Sequence, residues 1–102
     1  MPICNILEHP HQNADQAEQI RAHIRSSGPV LPEGSRLVIA GPAETGYRVI
    51  SVWDSLDARD QFFAERLAAA YEDVGLSLQD ATQTYFDVEA LMAGDLTGAA
   101  VA

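Results

Sequence analysis

The segment Tyr47-Arg-Val-Ile-Ser-Val-Trp53 restricts the possible folds more than any other stretch of the chain. Its β-branched and aromatic side chains suit a pleated backbone. A strand with one wet face alternates apolar and polar residues, and this one does not. One face carries Arg48, Ile50 and Val52, and the other carries Tyr47, Val49, Ser51 and Trp53. Both faces are therefore expected to be covered, and the remaining sequence must supply the covers.

The flanking segments supply the first cover. Residues 2–8 form an apolar run closed by His9-Pro10, a predicted first strand. Asn13 is placed as a helix N-cap with Gln16 as its capping-box partner. Ala17, Ile20 and Ile24 follow at helical spacing. Ser26-Ser27-Gly28-Pro29 ends the helix, with Gly28 expected in a left-handed cap and Pro29 blocking continuation. Residues 36–40 read as a second strand, joined to the third by the turn-rich Gly41-Pro-Ala-Glu-Thr-Gly46. Asp54 or Ser55 then caps a helix whose buried stripe is Phe63, Leu67, Ala70 and Val74, stopped by Gly75. Residues 82–89 give a fourth strand.

This order, βαββαβ, predicts an α+β ferredoxin-like domain over residues 1–92. An antiparallel four-stranded sheet would carry both helices on one face. Residues 93–102, small and rich in Gly and Ala, are expected to form a flexible C-terminal tail. The helices leave the other sheet face bare, and a second copy of the sheet is the simplest cover for it. The expectation is a homodimer, a dimeric α+β barrel with a ligand-sized hollow between the two sheets.

Composition narrows the function. Asp and Glu total 15 against 6 basic residues, all of them Arg, for a formal net charge of −9. Such a surface repels phosphate backbones and anionic lipid, so neither nucleic acid nor membrane is an expected partner. The absence of Lys removes Schiff-base chemistry. No apolar run approaches the roughly 18 residues of a membrane span, and Met1-Pro-Ile-Cys-Asn5 lacks the basic start of a secretion signal, so a cytoplasmic location is expected. The single Cys4 can form no internal disulfide and reads as a small buried hydrophobe. His9, His11 and His23 match no metal-ligand spacing, and no Gly-rich phosphate loop or nucleophilic Ser elbow is present. No metal and no cofactor is expected.

Strand alternation selects candidate site residues facing the expected lumen. They are Asn5 on the first strand, Tyr47, Ser51 and Trp53 on the third, and Tyr85, Asp87 and Glu89 on the fourth, with Thr84, Phe86 and Val88 turned to the helices. Trp53 offers stacking area and one N–H donor. Tyr85 and Tyr47 can donate to a developing oxyanion. Asp87, if desolvated, would approach the range of a general base. Asn5 in an apolar strand needs a hydrogen-bond partner, and His9 could reach the cavity mouth as an acid or base.

At Val49-Ile-Ser-Val-Trp53-Asp-Ser-Leu-Asp57, followed by Phe62-Phe63 and Leu67, the chain resembles the dimeric α+β barrel superfamily. The resemblance is to its antibiotic biosynthesis monooxygenase-like branch and covers about residues 2–91. It implies a cofactor-independent tailoring enzyme, a monooxygenase or a cyclase or isomerase, acting on a hydrophobic aromatic or polyketide-like molecule. Oxygenases of this type place an Asn and a Trp in the cavity, and Asn5 and Trp53 are the positions that would correspond. The same barrel also serves as a non-catalytic small-molecule binder or as a haem binder, for which His23 would be the axial candidate.

Overall fold

Asn13 begins the first helix as its sequence predicts. The Asn13 side chain accepts from the Gln16 backbone N–H at 2.8 Å, and the Gln16 side chain accepts from the Asn13 N–H at 3.0 Å. In the computed structural model, which describes residues 1–29 and 31–94, this helix is α1, Ala14–Ser27. It follows β1, Ile3–His9, and precedes β2, Ser35–Pro42, and β3, Tyr47–Trp53. Ser55, rather than Asp54, caps α2 (Leu56–Phe62), because the Asp54 carboxylate is held by Arg36 at 2.6 Å. The helix widens into a π-helical turn, Phe63–Leu67, and resumes as α3, Ala68–Asp73. A short 3₁₀ turn at Leu78–Asp80 leads to β4, Thr82–Asp87.

The strands pair antiparallel in the order β2-β3-β1-β4, so the buried strands β3 and β1 lie in the middle. This is the predicted ferredoxin-like topology. The fourth strand ends at Asp87, short of the predicted Glu89. Of the expected C-terminal tail, residues 95–102 lie outside the described residues.

One local device differs from expectation. Gly28 is extended (φ 161°) rather than left-handed. The carbonyls at the end of α1 are met instead by side chains: Ser26 donates to His23 O, and Arg66 donates to Ile24 O at 2.7 Å and to Pro29 O, just past the helix, at 3.1 Å. A cation at a helix C-terminus also opposes the helix dipole, so Arg66 helps to terminate α1 and ties it to the second helical layer. Gly46 does take a positive φ of 80°, where it passes against the His9–Pro10 backbone.

The register overturns one expectation. Asn5 pairs with Ser51 and with Tyr85, Ile3 with Trp53 and Asp87, and His9 with Tyr47, so these residues share a sheet face as predicted. That face, however, is the one beneath the helices. Leu7 joins Ile20, Leu67, Ala70 and Tyr71 in the core, and Trp53 packs on Phe62 with ring centroids 5.4 Å apart. Phe86, expected under the helices, lies on the opposite face and is 54% exposed. The physical reason is the Glu8–Arg48 pair, cross-strand neighbours 3.1 Å apart. Beneath the helices this pair would lose its hydration; on the outer face both side chains keep about half of theirs. Apart from Thr82 and Thr84 the rest of the outer face is apolar, with Ile6, Ile39, Ile50 and Phe86 in its paired rows.

Candidate functional site

Because the bulky face of the sheet lies under the helices, the expected site residues face a hollow inside the single chain. A cavity of about 660 Å³ runs along β3, between the sheet and the helical layer. Such a volume suits a small organic ligand, whose pockets span roughly 300–1,000 Å³. Tyr47 and Trp53, both on its wall, are six residues apart on one strand, about 20 Å at some 3.3 Å per residue. The cavity is therefore a slot with two chemically different ends.

The Trp53 end is aromatic. Trp53 is 2% exposed, stacks on Phe62 and meets Phe63 edge-on at 6.3 Å. The π-helical turn sits at this point: Ala68 N–H reaches back to Phe63 O, a five-residue bond that adds a residue to the turn. Consecutive residues Phe62 and Phe63 both contribute to the cavity wall here. The indole N–H donates to Ser51 Oγ at 2.8 Å, so Trp53 spends its one donor on the protein.

Asn5 is the open valence at this end. It is 1% exposed, lies on the cavity wall, and accepts through Oδ1 from an Arg59 guanidinium N–H at 2.8 Å. A guanidinium only donates, so this bond fixes which way round the amide sits. Its Nδ2, a buried donor, has no partner among the described residues. A buried unmet donor costs about 1–3 kcal/mol, a cost that a ligand acceptor would relieve. Arg59 is itself clamped by Asp60 at 2.8 Å and lies over the rings of Phe63 (5.4 Å) and Tyr85 (5.2 Å).

The Tyr47 end is polar and cationic. Arg21 donates to Tyr47 Oη at 3.0 Å and to Glu18 at 2.9 Å, while Arg25 reaches the same Glu18 at 3.3 Å. The Tyr47 oxygen, ahead of Glu18, pushes the Arg21 guanidinium upward against the burial that would lower it, so it is a fixed cation. Hydrogen bonds from Arg21 and then Arg25 hold the Glu18 carboxyl below its usual range. Also on the wall, Tyr71 donates to Gln12 Oε1 at 2.8 Å, and burial pushes its phenol up to about 12.

Of the residues expected at the site, Asn5, Tyr47, Ser51 and Trp53 are on the cavity wall. Three others share their sheet face but lie off the wall. Tyr85, the cross-strand neighbour of Asn5, is 54% exposed, and its ring meets the site through Arg59. Asp87 is exposed at the end of the uncovered edge strand, so in the single chain its carboxylate is not desolvated as the sequence suggested. His9 is fully buried, with both ring nitrogens engaged. Nε2 donates to Ser77 O at 2.9 Å, and Nδ1 accepts from His11 N–H at 3.2 Å. It fastens β1 to the loop before β4.

His23 faces Asp73 at 3.6 Å, away from the cavity. No imidazole or carboxylate lies on the wall, and no cluster of three or more potential metal ligands occurs, among the described residues. The haem alternative thus lacks an axial ligand there. Sequence reasoning missed Arg21 and Arg59. Arg21 follows Ile20 in the buried stripe of α1, a position at the stripe's edge that could have suggested it; Arg59 carries no local signal.

No protein-family model and no curated protein matches the chain. Solved structures do. A dimeric ferredoxin-like protein of unknown function from Thermobifida fusca is 18% identical, with 86% of this chain and 92% of that one covered and a TM-score of 0.62. SnoaB, a cofactor-independent oxygenase from Streptomyces nogalater solved as a point mutant, is 13% identical over 91% and 98% of the two chains, at 0.61. The monooxygenase of the gene ActVA-Orf6 from Streptomyces coelicolor, bound to nanaomycin D, is 15% identical over 92% of each chain, at 0.54. By fold, the chain is a ferredoxin-like α+β protein, built like these solved structures.

Proposed function

We propose that the chain is a cofactor-independent tailoring enzyme that oxygenates a hydrophobic, aromatic or polyketide-like molecule in its own internal cavity. The observation that carries this is the buried Asn5 amide, turned by Arg59 so that its N–H₂ group is unmet beside the Trp53–Phe62 wall. Trp53 and Phe62 provide stacking for a planar ring system. The Asn5 donor, backed by Arg59, would stabilise negative charge on a phenolate or enolate oxygen of that ring. A substrate held as its anion can pass an electron from ring carbon to dioxygen. Collapse of the radical pair and loss of water then turn a ring CH₂ into a carbonyl, with both oxygen atoms accounted for.

A cyclase or isomerase mechanism is less well served, because it needs a group that takes a proton and returns it. The wall offers Tyr47 and Tyr71 for that role but neither a carboxylate nor an imidazole. The same lack favours, as the second reading, a non-catalytic carrier of the same ligand class. SnoaB and the ActVA-Orf6 monooxygenase support the first reading by fold, and the complex of the latter with nanaomycin D supports a small-molecule ligand.

The apolar outer sheet face, with Ile39 56% and Phe86 54% exposed, supports a homodimer formed sheet to sheet. Light scattering of the protein and of Ile50→Asp checks this independently, with a dimer and a monomer expected. For the activity, a hydroxyanthrone is the probe. Trp53 is the only Trp, so its emission reports binding, while an oxygen electrode and quinone absorbance report turnover. Quenching with oxygen uptake, both lost in Asn5→Leu, is expected. Quenching without uptake would establish the carrier, product formation under argon would establish an oxygen-free reaction, and no quenching would end both readings.

A further inference from the structure

The geometry points to a ligand that carries an acid group, a carboxylate or an equally acidic hydroxyl, at the end of its apolar body remote from the reacting ring. This deepens the proposed function and rests on it, because it assigns the second end of the same cavity. Three observations combine. The only charged side chains on the cavity wall, among the described residues, are Arg21 and Arg25, in a protein whose net charge is −9. Against that background a purely cationic wall is not the average surface composition but a local reversal of it.

The two guanidinium groups share a single counter-ion, Glu18, whose side chain is 59% exposed and lies off the wall. One carboxylate against two guanidiniums leaves the inward side of the pair positive. Third, Arg21 Nε is buried and has no partner among the described residues, while its other nitrogens hold Tyr47 and Glu18. An acid group at this end would meet the Arg21 Nε–H as a charge-assisted donor or the Tyr47 hydroxyl as a neutral one, the Tyr47 proton being free because its oxygen already accepts from Arg21.

The layout also sets the order of entry. Arg21 and Arg25 side chains are 32% and 42% exposed, whereas Trp53 is 2% exposed. An amphiphilic ligand therefore goes in ring first, and its acid group stops where water still reaches it, avoiding the full desolvation that a buried ion would suffer. With about 20 Å of strand between Tyr47 and Trp53, the body between acid and reacting ring is a fused-ring or similarly extended scaffold, not a single ring.

The experiment compares anthracene-2-carboxylate with its methyl ester, by calorimetry and by Trp53 quenching, on the full chain and on Arg21→Gln. The expected result is an acid that binds at least about tenfold more tightly than the ester, equal to 1.4 kcal/mol. In Arg21→Gln the two should agree within about twofold, and in the unaltered protein the preference should shrink as salt rises. Equal binding of acid and ester to the unaltered protein would overturn the inference while leaving the cavity reading intact. Acid preference that survives Arg21→Gln, or binding that leaves Trp53 emission unaltered, would place the acid elsewhere and overturn it as well. Binding of neither probe would remove the proposed cavity function with it. The acid–ester comparison needs no variant, so poor folding of Arg21→Gln would not shield the inference.

Discussion

Replacing Tyr71 by Phe removes one oxygen atom and is expected to do two separable things. Tyr71 is 1% exposed and its hydroxyl donates to Oε1 of Gln12, itself 4% exposed. At neutral pH the substitution leaves that buried acceptor unmet, at a cost of about 1–3 kcal/mol. For a domain of this size that lowers the melting temperature by roughly 4–8 °C per kcal/mol.

The second effect appears only in alkali. Burial holds the folded phenol at about 12, while the unfolded chain ionises at its ordinary value near 10. Between those values the unfolded state has lost a proton that the folded state still carries, so stability must fall as pH rises. The contribution is intact below pH 10. It declines by about 1.4 kcal/mol at pH 11 and by about 2–3 kcal/mol once pH has passed 12, because each pH unit between the two values removes roughly 1.4 kcal/mol. Tyr71→Phe lacks this loss.

Urea unfolding followed by far-ultraviolet circular dichroism at pH 7, 9.5, 10.5 and 11.5, set on either side of the unfolded pKa near 10, therefore gives two curves that converge. The wild-type advantage at pH 7 shrinks in strong alkali, and the difference between variants cancels whatever the two proteins share. Parallel curves from neutral pH into strong alkali would refute the argument, because they would mean that the Tyr71 ring ionises as freely in the fold as outside it.

Gly46→Ala should be among the most damaging small substitutions. It forces a Cβ into the His9–Pro10 backbone at a φ of 80°, so a loss of about 2–5 kcal/mol is expected in thermal unfolding. Ser51→Ala strands the Trp53 indole N–H, costing about 1–3 kcal/mol in urea titration, with a blue shift in emission as the polar neighbour goes. Asn5→Leu removes an unmet amide but also the partner of Arg59, so stability should stay within about 1 kcal/mol of wild type. A much larger loss would mean that Nδ2 is satisfied in solution by something such as ordered water.

The parts of the fold legible in the sequence are those governed by neighbours in the chain. The Asn13–Gln16 box, the Ser55 cap and the Gly46 and Gly75 turns each follow from a few adjacent residues. Alternation along Tyr47–Trp53 likewise tells which side chains share a face. Parity has no sign, however. It does not say which face the helices take, and without that the acidic and tyrosyl residues of β4 read as lining a lumen between two subunits. The deciding pair, Glu8 and Arg48, lies 40 positions apart and becomes a pair only through register. The cationic end is hidden for the same reason: Arg21 and Tyr47 meet across helix and sheet, and nothing local to either announces the other. Asn5 and Trp53 stand out because a lone amide in an apolar strand and a lone indole at a strand end are anomalies in themselves.

The widened turn at Phe63–Leu67 has a bearing on how this cavity could diversify. A point substitution alters one side chain in the wall, whereas deleting a residue such as Ala64 would let the helix wind at its ordinary pitch. Because the widened turn absorbs one extra residue, the helix on either side would keep its facing, and only the turn that presents both Phe62 and Phe63 to the wall would be reshaped. Pocket shape in this chain is thus sensitive to indels at one place on a helix, a segment where sequence comparison ordinarily tolerates none. A shorter sibling would hold a straighter helix and a differently shaped guest.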